Sequence, residues 1–226
     1  CESVLQRLEV QPPLEPRRLE FAEAAVRAHA IAEEFACRHG WNHHVVEPLY
    51  AEFEVVSTQA DLLSRVLRRA ELPPSTPLPT EGLAAALING RLIAVTPEEY
   101  KKVRPEYASK PDSWARLLAH ELIHVVHERA VDDNLNAMGP KWFFEGLAVF
   151  GAGQDLGHQS RFTCASDALD AVRDDSAGSY ARFEGAVSFF SRRVPIQELV
   201  VRAKRDDFEE WLRALDVDAD RSGTTV

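Results

Sequence analysis

Cysteine is scarce in this chain: three residues in 226, at positions 1, 37 and 164. That is too few for a disulfide-stapled fold, although Cys37 and Cys164 remain able to pair in an oxidising compartment. No run comes near the roughly 20 consecutive apolar residues that a membrane span needs, so no transmembrane segment is expected. Positive charge is also in deficit, with 26 Lys and Arg against 36 Asp and Glu, a net charge of −10. Phosphate binding relies on clustered Lys and Arg, so nucleic acid is not an expected partner. The short basic groups Arg17-Arg18, Lys101-Lys102 and Arg192-Arg193 have no aromatic platform beside them and read as solvated faces. Internal repeats and low-complexity segments are missing as well.

What is present fits one globular domain: 45% hydrophobic, 27% charged and 8% aromatic residues, with enough chain to bury a sizeable core. The first residue is Cys1 rather than Met. Two readings of it stand: a lipid-anchored first residue of a mature lipoprotein, with an extracytoplasmic location, or a truncation.

Residues 10–16 (VQPPLEP) read as an extended lead-in. The run from Arg18 to Arg38 is rich in alanine and glutamate, with Leu19, Ala22, Val26, Ile31 and Phe35 near helical spacing, and Gly40 closes it. VVEPLYAEFEVV (45–56) reads as a strand broken at Pro48. Thr58 opens a helix through Leu72 whose buried side carries Leu62, Leu63, Val66 and Leu67. Prolines at 73, 74, 77 and 79 make a loop. Asn89-Gly90, between two apolar runs, signals a tight hairpin, because both residues tolerate positive φ. Asp112 or Ser113 caps a helix over SWARLLAHELIHVVHERA. Another helix is expected at 142–150, and the chain beyond about Ser166 reads as helical, divided by Pro195. The fold class is therefore α+β. One domain is expected, with an α+β lobe over 1–150 and a helical lobe over 151–226.

The chemistry concentrates at His120-Glu121-Leu122-Ile123-His124. Residues four apart on a helix stand on one face, about 40° apart around the axis, so two imidazoles can converge on one cation. Glu121 stands beside that face, where its carboxylate can reach a water at the metal without being a ligand. Leu118, Leu122 and Val125 occupy the opposite side and would bury the helix. Catalytic zinc needs a third protein ligand and one open position. Glu145 follows His124 by 21 positions, on the second predicted helix, across the turn-rich segment VDDNLNAMGP. Two antiparallel helices would bring it against the histidine pair.

The stretch LLAHELIHVV, a loop ending in proline, and then W-F-x-E-G-L-A resemble the gluzincin metallopeptidases, in particular the bacterial members called MA-like. The likeness spans about residues 83–150, including a hairpin strand before the histidine helix. YARFEGAVSFFSRR (180–193) is similar, more weakly, to a further helix of that family. The resemblance implies a zincin-like fold, with a small mixed sheet and active-site helix followed by a mainly helical C-terminal part. It implies one zinc ion on His120, His124 and Glu145, with Glu121 as general base and proton shuttle. Tyr180 is the first choice for the donor that stabilises the oxyanion, ahead of Tyr100 and Tyr107.

His127 also lies on the metal face, but three histidines along one straight helix span about 10 Å, too far for one tetrahedral zinc. His127 is thus read as a residue supporting the ligands from behind, a substrate-cleft residue or, by default, a surface residue, and the metzincin pattern would require glycine there. His29, His39, His43, His44 and His158 lack any ligand-like context. One departure stands out: some gluzincins carry an Asp four residues after the glutamate ligand to orient a zinc-bound histidine, and Val149 occupies that position. An orienting group must come from elsewhere. Three functions are compatible with these residues: a peptidase acting on peptides or proteins, a zinc hydrolase of a non-peptide substrate, and a zinc-binding scaffold without turnover.

Overall fold

A computed structural model describes residues 6–77, 82–105, 107, 111–154, 162–173 and 179–222, the side chains of 217–222 excepted. Cys1, Pro79 and His158, singled out above, lie outside the described residues. Four strands form one sheet: β1 (Leu8–Val10), β2 (Glu52–Val56), β3 (Ala85–Ile88) and β4 (Arg91–Val95), in the order β1-β2-β4-β3. β2 pairs in parallel with both β1 and β4, and β3 closes antiparallel on β4. The described residues also form nine α-helices: α1 (Arg18–Arg38), α2 (Gln59–Arg69), α3 (Pro97–Val103), α4 (Ser113–Ala130), α5 (Lys141–Ala152), α6 (Ala165–Ala171), α7 (Ser179–Ser191), α8 (Ile196–Ala203) and α9 (Phe208–Ser222). The architecture is α+β, with a small mixed sheet and many helices.

Two compact units emerge, one within Cys1–Val126 and Gly151–Gln154, the other within His127–Phe150 and Asp155–Val226. The boundary falls inside α4 and α5. In the first unit the register puts Leu8, Phe53 and Leu92 side by side on one face of the sheet. Trp114 of α4 packs 6.3 Å from Phe53 and 5.5 Å from Phe21 of α1, ring centre to ring centre, so α1 and α4 share that face. The Trp114 indole N–H also donates to the Val95 carbonyl at 2.8 Å, which anchors α4 to the end of β4. The opposite face carries charge. Arg91 is buried among Glu9, Glu52 and Glu54, and Arg65 of α2 reaches Glu54 at 2.6 Å.

Local chemistry sets the ends of these elements. Thr58 caps α2 by accepting from the Asp61 N–H at 3.1 Å. α1 stops at Gly40, whose φ of +72° lets the Trp41 N–H donate back to the Ala36 carbonyl at 2.7 Å. The β3–β4 turn has φ of +49° at Asn89 and +75° at Gly90, both positive as a two-residue hairpin of type I′ requires.

Several local expectations need correcting. Residues Pro12–Arg17 form a 3-10 helix rather than an extended lead-in, since the proline φ suits either conformation. The strand expected over 45–56 survives only at Glu52–Val56; Asn42–Val45 is a 3-10 turn, and Pro48 has no N–H to give to a ladder. On α1 the buried stripe is alanine with Phe21 and Phe35, while Leu19 and Val26 face solvent. On α2 the helix ends at Arg69, and only Leu62 and Val66 are buried. Cys37 and Cys164 are both free; Cys164 Sγ instead accepts from the Asp167 N–H at the start of α6.

The second unit has an aromatic core. Trp142 of α5 stacks on Phe208 of α9 with rings 7° from parallel, and its indole N–H donates to Glu209. Phe143 meets Phe208 edge-on, and Phe190 of α7 packs against Trp142. Helix α7 crosses α5 at Gly146, where a Cβ would stand 2.5 Å from the Phe183 carbonyl oxygen. Pro195 precedes α8 and separates it from α7, as its position in the sequence suggests. Among the described residues no helix is long and apolar enough to cross a membrane.

Candidate metal centre

Helix α4 presents Arg116, His120 and His124 in one row, each four residues after the last. The helix is buried on almost every side: Leu118, Leu122 and Val125 are inside as expected, and so are Ile123 and Val126. His120 is buried and His124 half-buried. Their Nε2 atoms face each other at 3.1 Å, with the rings nearly perpendicular. Two nitrogens bound to one tetrahedral zinc at its usual bond length would stand about 3.3 Å apart. The observed spacing suits a shared cation and, without one, a single N–H···N hydrogen bond.

The far side of His120 is also engaged. Its Nδ1 lies 3.0 Å from Gln154 Oε1. With the Gln154 amide oxygen, an acceptor, turned to the ring, this contact is a hydrogen bond when Nδ1 carries the hydrogen, which leaves Nε2 with its lone pair, the form in which imidazole binds metal. Gln154 was not among the residues singled out from sequence. It lies nine positions beyond Glu145 and just past the end of α5, and no local pattern marks it.

Glu145 is half-buried on α5. His120, His124 and Glu145 each offer one ligand atom, and these atoms lie within 4.8 Å of one another. Two imidazole nitrogens and one carboxylate oxygen are donor types that suit zinc. Glu121 follows His120 directly and is half-buried, standing beside the ligand row rather than in it. Tyr180 sits in the first turn of α7, half-buried, its ring 6.0 Å from that of Phe183. It precedes by one turn the carbonyl that Gly146 meets. Tyr100 is fully buried in α3, and the Arg104 guanidinium covers the ring of Tyr107.

His127 is not a surface residue. It is 1% exposed and meets Phe143 of α5 edge-on, with ring centres 5.8 Å apart. The side of α4 that it occupies is covered. Val149 is fully buried and brings no carboxylate; the group at the ring nitrogen of His120 is Gln154. His43 and His44 lie against each other at the 3-10 turn, away from any ligand cluster among the described residues. Compared with family models, curated proteins and solved structures, the chain matches none.

Proposed function

We propose that this chain is a zinc metallopeptidase of the gluzincin type with a zincin-like fold, acting on peptide or protein substrates. His120, His124 and Glu145 would hold one zinc ion. The observation that carries this reading is the convergence of two Nε2 atoms from one helix face, one of them set as a lone-pair donor by Gln154. The neighbouring Glu145 carboxylate supports it.

When bound, zinc supplies Lewis acidity that polarises a carbonyl and makes water a nucleophile near neutral pH. The remaining work falls to the chain. The Glu121 carboxylate takes the proton of the attacking water on one oxygen and returns it to the leaving amine. Tyr180 donates its phenolic hydrogen to the oxygen on which negative charge develops. The buried apolar residues of α4, among them Leu118, Leu122 and Val125 on the side away from the histidines, fix the helix that carries both rings. The net charge of −10 tilts substrate preference toward neutral or basic peptides.

A catalytically silent zinc-binding scaffold or receptor is the second reading, and Val149 favours it, since a carboxylate that some gluzincins use is missing there. Elemental analysis together with peptide-library digestion tests both. The peptidase reading expects about one zinc per chain, lost or sharply weakened in Glu145→Ala, and cleavage that Glu121→Gln abolishes while zinc stays bound. Full zinc retention in Glu145→Ala would overturn the ligand set. Zinc binding without cleavage of any peptide would leave the scaffold.

A further inference from the structure

Helix α5 ends at Ala152, and its last carbonyls need partners because no further helical turn supplies them. Arg116 of α4 supplies one: its Nη1 donates to the Ala152 carbonyl at 2.9 Å and, just past the helix, to the Gly153 carbonyl at 3.0 Å. Its Nε is held by Asp112 Oδ2 at 2.7 Å, one turn earlier on α4. Gly153 has a φ of +58°, and a Cβ there would stand 2.6 Å from Arg116 Nη1. The turn therefore favours glycine for its backbone, and a Cβ there would push on the end of the Arg116 side chain. The residue that emerges from this clamp is Gln154, whose Oε1 meets His120 Nδ1. Arg116 and His120 are four residues apart on the same helix, so one face of α4 holds both the strut and the ring that the strut serves.

We infer that Gln154, presented by the Asp112–Arg116 clamp on the end of α5, is the positioning residue for His120: it fixes the Nδ1–H tautomer and aims Nε2 at the cation. This residue does the work that a carboxylate on α5 would otherwise do, and Val149 cannot. A neutral amide has a chemical consequence. It orients the ring as a carboxylate does but adds no negative charge next to it. The tautomer claim stands on geometry alone; only its effect on zinc rests on the metallopeptidase reading.

The test uses the full chain labelled with ¹⁵N at histidine, metal-free, at a pH of about 8.5, two units above the ordinary imidazole value of about 6.5. Histidine ¹⁵N shifts report which ring nitrogen of His120 carries hydrogen. Wild type is expected in the Nδ1–H form. Gln154→Ala should shift His120 toward Nε2–H, Gln154→Glu should restore Nδ1–H, and Arg116→Ala should move it part of the way. Zinc competition against a chelator should show affinity falling about 10- to 100-fold in Gln154→Ala and recovering in Gln154→Glu. An unchanged His120 tautomer in folded Gln154→Ala, judged by its unfolding midpoint, would overturn the inference. So would Nε2–H in wild type. If wild type binds no zinc, the tautomer result still decides the role of Gln154, and the metallopeptidase reading falls alone.

Discussion

Gly146 lies beneath the Phe183 carbonyl so closely that a Cβ on it would sit 2.5 Å from the oxygen and 2.7 Å from the carbonyl carbon. The atoms in the way are backbone, not the far end of a flexible side chain, so neither helix can yield cheaply. The glycine after Glu145 thus sets the distance between α5 and α7.

Gly146→Ala is expected to destabilise the protein by roughly 1–3 kcal/mol, the usual cost of forcing a methyl group into a packed contact. Urea denaturation measures it. A change below a few tenths of a kcal/mol would show that α5 and α7 separate freely.

Tyr180→Phe removes one hydroxyl and leaves the ring against Phe183. If that hydroxyl serves the oxyanion, kcat should fall about 10²- to 10³-fold with KM and zinc content little changed. A fall confined to KM would assign Tyr180 to substrate binding instead.

The charged face of the sheet predicts an asymmetry between single and double substitutions. Arg91 and Glu54 are both buried, with 8% and 9% of their side chains exposed. Arg91→Ala should cost about 3 kcal/mol or more, because it leaves Glu54 buried with Arg65 as its main counter-charge. Arg91→Met combined with Glu54→Leu should recover much of that loss, as unfolding midpoints would show.

His39 gives stability a pH dependence. Burial, with the Arg38 charge adding to it, holds its pKa below the ordinary value of about 6.5. The folded state therefore prefers the neutral ring, which packs edge-on against Phe35 at 4.8 Å. The unfolded chain takes up a proton first as pH falls. Stability should be full above about pH 6.5 and decline as pH drops toward the folded-state value. His39→Gln should flatten that decline in thermal melts recorded across pH 5–8.

Much of this arrangement could be read from residue order where the signal is local. The limits of α1, the Asn89-Gly90 turn and the HELIH helix are each written within one or two turns of chain. Features set by distant partners were not legible. Leu8–Val10 has no strand signature of its own and becomes β1 only by lying beside β2. Residues 45–51 look like strand by composition, yet Pro48 and the 3-10 turn before it keep them out of the ladder. The helical period placed His127 on the histidine side of α4, but nothing in it says that Phe143 covers that place. Gln154 reaches His120 through a glycine turn and an arginine clamp, a path that no spacing rule contains.

The position of β1 carries a cost in how the chain assembles. Leu8 finds Phe53 across 45 positions, whereas β3 and β4 meet over a two-residue turn. Hairpins close in microseconds, and long loops close late because their ends must first be brought together. Until β1 arrives, the outer edge of β2 offers a row of bare amides and carbonyls next to the apolar Phe53 and Val55. An uncovered edge of that kind is a template for other chains. The three residues of β1 therefore act chiefly as a guard rail, and a chain stripped of residues up to Val10 should lose solubility before it loses helix.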